Sequence, residues 1–520
     1  MIFPRRTGAA ALGFTLIFWS AGLLVPLGAV LARAGGAPLL DPDVLALAQA
    51  TVAQAGLSTA WALVLGVPFG LGWAPFIAAR SAGGGVLRML LLVPYGVPTV
   101  AAAGAWIFWL GRQGWLARHG FTFAEDWIYR FRGVVLAHIF LNVPLVALLT
   151  AQARARISPR ELEAAATLGA SPRQRFTAIV APAIFPTLVA ASIQVFSLCA
   201  TSFALVQVLG GGPPVETLET GLYARVRLGA LDLRGAAACA FWQLLLTLPA
   251  WLLLLLWMER RRRRGAGSTA HSPPGRTPGA LSLGAAALWL LPYLPMLAPL
   301  GWIAIARDAE LAPQLVRPFF LSAGLAAGAA LGAVGVAALG LLAIGSLRPG
   351  SVGRALLLGL LSLPAGVSIL VAGLGLWLVY GAFFDPFSGS PLAMVWVETI
   401  FFAPLALRLL WPLARAPRRR ELEAAVALGA TPVRAFWHVE WPRWRPVVRA
   451  ALGLVAAASL GEAAAVRLFA GEEWLPLPLL IHRWTSQYHF AEAEALAGAL
   501  ILVAALPAAW SARTAARGLA

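Results

Sequence analysis

The sequence predicts an all-α integral membrane protein with about twelve transmembrane helices, arranged as two tandem six-helix units. The first observation is composition: of 520 residues, 60% are hydrophobic and 12% are charged, whereas soluble proteins average about 25% charged residues. The second is that apolar runs of about 20 residues, the length that crosses a bilayer as a helix, recur along the chain. The third is a polar segment that occurs twice, 260 residues apart. Together they favour a duplicated bundle of membrane helices.

Twelve apolar segments account for the predicted helices. Several contain Gly and Pro, which membrane helices tolerate where neighbouring groups satisfy the freed backbone. The first segment is longer than the ~7–15 apolar residues of a secretory signal, so we expect an uncleaved span. The segments are 9–32, 51–79, 86–110, 133–152, 183–209, 236–258, 281–305, 319–346, 354–381, 392–414, 446–469 and 493–512.

The positive charge follows the loops. The net charge is +18 and the sequence contains no lysine, so arginine supplies every basic side chain. The arginines lie mostly in short loops between apolar segments, as in the cytoplasmic loops of membrane proteins. We therefore expect the lipid bilayer, and not nucleic acid, as the partner of this charge. Arg5 and Arg6 predict a cytoplasmic N-terminus, and an even number of spans returns the C-terminus to the same side. The loop 111–132, predicted to lie outside, departs from the pattern with four arginines.

A polar linker divides the chain. Residues 259–280 begin with a run of arginines and continue with Gly, Pro, Ser and Thr without helical periodicity. This composition is typical of a flexible connection. We predict a first six-helix unit at 1–258, a cytoplasmic linker at 259–280 and a second six-helix unit at 281–520.

The repeated polar segment is the most informative feature. Glu161–Pro172 is ELEAAATLGASP and Glu421–Pro432 is ELEAAVALGATP, with nine of twelve positions identical. Each copy follows the fourth apolar segment of its half. Glutamates at the start of a run of helix formers, with Gly169 or Gly429 near its end, predict a short helix, a turn and a second element. The small alanines leave a smooth face that fits the groove of another protein; the alternative is a surface loop without a partner.

These loops resemble the EAA loops of permeases from ATP-binding-cassette (ABC) importers. The resemblance rests on Glu163-Ala164-Ala165 with Gly169, Ile179 and Pro182, and on Glu423-Ala424-Ala425 with Gly429, Val439 and Pro442. Ala181 and Trp441 depart from the leucine common there. The resemblance implies the type I importer fold and a multi-pass location in the bacterial inner membrane. It also implies that both loops dock on a separate ATPase, present in two copies, and that a periplasmic binding protein delivers the substrate.

The ATP site must lie on another polypeptide. A P-loop requires a lysine that reaches the phosphates, and this chain has none. We also find no catalytic motif and no metal-ligand spacing. The sequence therefore predicts a transporter subunit without enzyme activity and without a cofactor of its own. A gradient-driven secondary transporter remains an alternative, but it gives no reason for the duplicated loops.

A closer resemblance, to permeases for one substrate, predicts what the protein transports. The resemblance to the permeases for thiamine and thiamine phosphates rests on segments in both halves. They are Gly111–Leu116, Ala137–Pro144, Ser202–Pro213, Thr217–Glu219, Ser459–Glu462, Leu468–Phe469 and Leu477–Pro478. Permeases for ferric iron are the alternative. They typically carry an acidic residue at the corresponding place in both halves, whereas here Ser202 stands opposite Glu462. This difference favours thiamine.

Polar residues inside apolar segments are the candidates for the transport pathway. A carboxylate at the bilayer centre costs about 2.5–3.5 kcal/mol on insertion scales, so Glu462 and Glu398 need compensation. Glu462 either faces the pathway or pairs with a residue such as Arg467, and both hypotheses stay open. His138 and Asn142 are expected to form helix–helix hydrogen bonds. The 260-residue offset pairs His138 with Glu398 and Ser202 with Glu462.

Overall fold

The computed structural model is helical throughout its regular structure. It describes residues 5–77, 82–94, 97–112, 114–121, 127–210, 215–228, 231–263, 277–297, 311–348, 351–383, 389–415, 419–471, 473–487, 489 and 491–504. The centre of the predicted linker (264–276), the ends of three predicted spans (78–79, 298–305 and 505–512) and residues 95–96 of a fourth lie outside the described residues.

In the first half, a π-helical turn at Ser20–Leu24 joins α1 to α2, and two further π-helical turns follow α9 and α12 at Phe176–Val180 and Ala224–Leu228. The helices are α1 (Arg5–Trp19), α2 (Val25–Ala34), α3 (Pro42–Ile77), α4 (Ala82–Leu92), α5 (Thr99–Leu110), α6 (Trp115–Arg118), α7 (Phe131–Ala155), α8 (Pro159–Thr167), α9 (Pro172–Arg175), α10 (Ala181–Ala200), α11 (Ala204–Gly210), α12 (Leu218–Tyr223) and α13 (Leu233–Arg263).

In the second half, 3₁₀ turns at Leu288–Leu297 and Leu363–Gly366 follow α14 and α17, and a π-helical turn at Phe436–Glu440 follows α21. The helices are α14 (Ala280–Ala287), α15 (Leu311–Gln314), α16 (Val316–Ser346), α17 (Val352–Ser362), α18 (Ile369–Tyr380), α19 (Pro391–Arg415), α20 (Arg419–Ala427), α21 (Pro432–Ala435), α22 (Trp441–Leu460), α23 (Ala464–Phe469) and α24 (Leu477–Ser486). A last helix covers 491–504.

Seven described helices are long and apolar enough to cross a membrane, and an eighth span results if α17 and α18, bent by 105° at their junction, are counted as one. The prediction of an all-helical membrane protein is thus confirmed, while twelve spans stay a prediction. Four predicted spans are not among these eight. Two of them, 281–305 and 493–512, lie partly outside the described residues. The other two, 86–110 and 446–469, each divide into two helices, α4 with α5 and α22 with α23. In addition, α22 carries Arg443, Arg445 and Arg449, which lower its apolar character.

The two halves repeat the same backbone. The helices α7, α8, α9 and α10 begin 260 residues before α19, α20, α21 and α22. The helices α4 and α5 begin 270 residues before α17 and α18. The change of offset falls in the loop before α7, which is ten residues longer than the loop before α19. An insertion or deletion at this loop therefore accounts for the shift without disturbing any helix.

Small residues bring the main helix pairs together. The helix α3 packs along α7, and α16 packs along α19. A Cβ on Gly70 would lie 2.5 Å from the Ala147 carbonyl oxygen, and a Cβ on Gly332 would meet the Thr399 side chain. Both glycines belong to a G-x-x-x-G pattern, with Gly66 and Gly328 four residues before them. This pattern allows close approach of membrane helices.

The first helices of the two halves are exchanged. The helices α1 and α2 pack against α16 and α18, while α14 and the turn that follows it pack against α4 and α5. The Tyr380 hydroxyl donates to the Ala21 carbonyl at 2.9 Å, and the Trp109 indole donates to the Pro292 carbonyl at 3.2 Å. Each half therefore completes the packing of the other.

Candidate functional site

The first repeated loop folds as a short helix closed by a glycine turn. The helix α8 begins after Ser158, whose backbone is extended. At its end Gly169 has φ +81°, and its N–H donates to the Ala166 carbonyl while the Ala170 N–H donates to the Ala165 carbonyl. This pair of hydrogen bonds is the Schellman motif, which terminates a helix at a left-handed residue. Glycine occupies that position because it has no Cβ to strain.

The second loop has the same geometry. Gly429 has φ +83°, and its N–H donates to the Val426 carbonyl while the Ala430 N–H donates to the Ala425 carbonyl. The expected order of a short helix, a turn and a second element is therefore present in both loops. Nine identical residues thus encode one local structure twice.

One face of each loop helix packs inward and the other is exposed. Leu162 is half-buried against a small apolar cluster around Ile157 and Ile179, and Leu422 is buried. On the outer side, Glu163, Ala164, Glu423 and Ala424 are exposed, whereas Ala165 and Ala425 are half-buried. The turn that follows presents Leu168 and Leu428, which are 88% and 89% exposed. Apolar tips left in water at both copies are typical of a surface that contacts another protein.

The residues after the two turns differ. In the first loop, Ser171 and Gln174 form a capping box: the Gln174 N–H donates to Ser171 Oγ, and the Ser171 N–H donates to Gln174 Oε1 at 2.8 Å. In the second, the Arg434 N–H donates to Thr431 Oγ1 at 3.3 Å, and an arginine side chain has no acceptor to return the bond. The second loop instead leads into a group of edge-on and tilted rings, formed by Phe436, Trp437, Trp441 and Trp444.

His138 and Asn142 join helices inside the first half. The Gln54 amide of α3 donates to His138 Nδ1 of α7 at 2.6 Å. The Asn142 amide donates to the His138 carbonyl at 2.8 Å and to the Cys199 sulfur of α10 at 3.6 Å. All four side chains are buried. These bonds tie α7 to its two neighbours.

Glu398, the counterpart of His138, has a different partner. Its side chain is fully buried, and its Oε2 accepts a hydrogen bond from the Ser459 hydroxyl at 2.5 Å. Its Oε1 has no hydrogen-bond partner among the described residues. The bond links α19 to the end of α22. The position that joins α7 to α3 in the first half therefore joins α19 to α22 in the second.

Ser202 and Glu462 both lie where a helix breaks. Ser202 is half-buried between α10 and α11, and Glu462 is half-buried between α22 and α23. Glu462 Oε1 accepts from the Ala464 N–H at 2.7 Å. Its carboxylate lies within electrostatic range of both Glu398 and Glu219.

Glu219 is a site residue that sequence reasoning missed. It lies on the short helix α12, is 1% exposed, and neither carboxylate oxygen has a hydrogen bond of good geometry with a described group. The Ser368 hydroxyl from the second half lies beside it. One turn further on, Tyr223 packs against Phe203 with ring centroids 5.0 Å apart. The available signal was an acidic residue four positions before an aromatic residue in a short apolar segment.

Two features thus stand out chemically. The loops can dock on a partner, and the carboxylates between the halves can interact with a cation. Among the described residues, no group of His, Cys, Asp or Glu side chains has the arrangement to hold a metal ion.

A duplicated helical membrane domain, with one exposed loop in each half and polar groups buried between the halves, defines a membrane transport subunit. Comparison with known families agrees with this class: residues 66–264 and 336–514 both match the family described as binding-protein-dependent transport system inner membrane component. The chain therefore belongs to this family, the permeases of ABC importers. The family works with a separate ATPase and a binding protein, is not catalytic and carries no cofactor.

Individual relatives match either nearly the whole chain or less than half of it. The chain is 30% identical over 505 residues to a thiamine transport system permease protein of Brucella abortus, covering 94% of this chain and 91% of that protein. It is 27% identical over 470 residues to the permease of the same description from Haemophilus influenzae, covering 86% and 85%. A sulfate transport system permease protein of Escherichia coli is 31% identical over 243 residues, which are 44% of this chain and 84% of that protein.

Proposed function

We propose that the chain is the permease of a thiamine importer, moving thiamine and its phosphates from periplasm to cytoplasm. A separate ATPase, in two copies, would drive it through the two EAA loops, and a periplasmic thiamine-binding protein would deliver the substrate. The proposal that the ATPase docks on the two loops is carried by one observation: each copy of the loop exposes a leucine, Leu168 in the first and Leu428 in the second. The thiamine part is supported by relatives of that description that match over nearly the whole chain.

The membrane arrangement belongs to the same proposal. Six-helix units at 1–258 and 281–520, joined by a cytoplasmic linker, would run parallel and leave both termini in the cytoplasm. Their loops Glu161–Pro172 and Glu421–Pro432 would then face the ATPase from the same side. A tag at either terminus should be hidden from a membrane-impermeant reagent in spheroplasts and become accessible after lysis; accessibility before lysis would contradict this orientation.

Uptake into proteoliposomes tests the substrate. Vesicles that hold the chain, its ATPase and its binding protein should accumulate labelled thiamine only with ATP on the cytoplasmic face. Ferric iron is assayed in parallel with its own binding protein. Iron uptake in place of thiamine would replace the substrate but keep the coupling mechanism, whereas uptake indifferent to ATP would support a gradient-driven transporter.

Variants of the first loop test the coupling. Gly169→Asp and Glu163→Arg should insert into the membrane normally and lose ATP-driven uptake, because both change the exposed face of the loop. Co-purification of the ATPase measures docking directly. Full ATPase association and full uptake in both variants would contradict the coupling role.

A further inference from the structure

Breaks in the membrane helices meet between the two halves. Gly461, at the break after α22, packs against Pro98 at the start of α5, so closely that a Cβ on Gly461 would lie 3.1 Å from the Pro98 Cα. Ser368, at the break before α18, lies beside Glu219 of the first half. Non-helical backbone at membrane depth is tolerated where it is buried in protein or lines a pathway. The junction of these breaks is therefore a place where polar groups can face a substrate.

A cation already occupies an aromatic cleft at this junction. The Arg467 guanidinium of the second half lies 5.1 Å from the ring centre of Tyr223 and 5.9 Å from that of Phe203, both in the first half. Its Nε donates to the Tyr223 hydroxyl at 3.0 Å. The two rings are buried. The cleft thus accepts a planar cation on its ring faces.

Two carboxylates lie near the same cleft, Glu219 buried and Glu462 half-buried. Glu219 precedes Tyr223 by one helical turn, is almost fully buried, and its two oxygens have no good hydrogen-bond donor among the described residues. Glu462 lies within electrostatic range of Glu219. Burying a carboxylate without a donor, as at Glu219, is unfavourable, and in membrane proteins such a residue commonly marks a functional site. An incoming cation would supply the missing partner.

We propose that the cleft formed by Phe203 and Tyr223, with the carboxylates of Glu219 and Glu462 nearby, binds the cationic aromatic ring of the substrate within the translocation pathway, and that Arg467 occupies the cleft when no substrate is present. The inference rests on the proposed function, because a thiazolium ring is a planar aromatic cation. A metal ion would use the carboxylates, whereas an organic cation uses the ring faces as well. The cleft therefore specifies the chemical class of the substrate as well as its charge.

Changes at Tyr223 and Glu219 test the cleft in the complete transporter. The readout is the amount of thiamine moved per ATP hydrolysed in proteoliposomes. Tyr223→Leu should lower this ratio about tenfold, since a face for the cation is lost, while Tyr223→Phe keeps the ring and most transport. Glu219→Gln keeps the shape and should also lower the ratio. In each variant the loaded binding protein should still stimulate ATP hydrolysis.

A matched control distinguishes a loss of substrate binding in the cleft from a general loss of packing between the halves. Tyr380→Leu removes another tyrosine that bridges the halves, through its bond to Ala21, and should leave the ratio unchanged. Wild-type ratios in both Tyr223→Leu and Glu219→Gln would overturn the inference, as would an equal loss in Tyr380→Leu. Wild-type vesicles that take up no thiamine would instead overturn the proposed function, so the two failures are distinguishable.

Arg467 offers a second test. If its guanidinium blocks the cleft, Arg467→Ala should admit thiamine several-fold faster than wild type in vesicles that hold the ATPase and ATP but lack the binding protein. No increase would overturn the part assigned to Arg467. Arg317, which lies over the Trp474 ring at an exposed site, provides the matched change Arg317→Ala and should behave as wild type.

Discussion

The two halves share a backbone but differ in what they bury at equivalent positions. From α7 to α10 and from α19 to α22, every helix begins 260 residues apart. At one equivalent position, however, the first half has His138, bonded to Gln54, and the second has Glu398, bonded to Ser459. The backbone follows the turns and small residues, which the halves share. The buried chemistry has diverged, and the carboxylates near the junction come mostly from the second half.

The largest expected effect is a loss of stability where α3 packs on α7, compared with α16 on α19. A Cβ on Gly70 would meet a backbone carbonyl of α7, whereas a Cβ on Gly332 would meet the movable Thr399 side chain. Gly70→Ala should therefore lower the free energy of unfolding by about 1–3 kcal/mol, and Gly332→Ala by less. Thermal unfolding in detergent measures both. Gly56→Ala and Gly335→Ala, which add a methyl group into open space, are the controls. Equal losses at Gly70 and Gly332 would contradict the comparison.

A second prediction compares the buried polar pairs. Ser459→Ala leaves the buried Glu398 without its donor, and an unsatisfied buried group costs about 1–3 kcal/mol. Cys199→Ala, at the equivalent position of the first half, removes only a weak sulfur contact, and Asn142 keeps its bond to the His138 carbonyl. The loss of stability should be clearly larger for Ser459→Ala. A larger loss for Cys199→Ala would show that the first half depends more on its polar pair.

The loop glycines should behave alike in the two halves. Alanine in the left-handed conformation costs about 1–2 kcal/mol, and the space around Gly169 and Gly429 is open. Gly169→Ala and Gly429→Ala should therefore loosen α8 and α20 by similar amounts, as measured by amide hydrogen exchange of each helix. Asparagine, which adopts this conformation more readily, should restore most of the protection at either site. Faster amide exchange in only one of the two helices would show that the two loops are not equivalent.

The smallest effect is expected on amide exchange at the capping box of Ser171 and Gln174. Gln174→Ala removes the acceptor for the Ser171 N–H and should raise amide exchange at Ser171, at a cost near the lower end of the ~0.5–2 kcal/mol range for caps. Arg434→Ala at the equivalent place removes no such acceptor and should leave exchange at Thr431 unchanged. A change at Thr431 of the same size would mean that the second loop is held by an equivalent contact.

The sequence could predict features that depend on local chemistry. Gly169 and Gly429 were expected to end short helices, and both have positive φ. It could not predict where long helices break. The break at 201–203 contains neither Gly nor Pro, so its composition gives no signal, and Phe203 at its end lies beside Arg467 of the second half. Glu219 was missed for a related reason: the residue 260 positions later is Leu479, so the repeat gave no signal, and its neighbour Ser368 belongs to the other half.

The exchange of first helices has a consequence for how the protein is made. The surfaces of α4 and α5 that receive α14 and the following turn are synthesised long before residues 280–297 leave the ribosome. These surfaces must remain uncovered in the bilayer, or be shielded by another protein, until the second half begins to insert. The first half therefore cannot reach its final packing on its own. Keeping both halves in one polypeptide guarantees that the covering segment arrives at the same molecule, in equal number and without a search through the membrane.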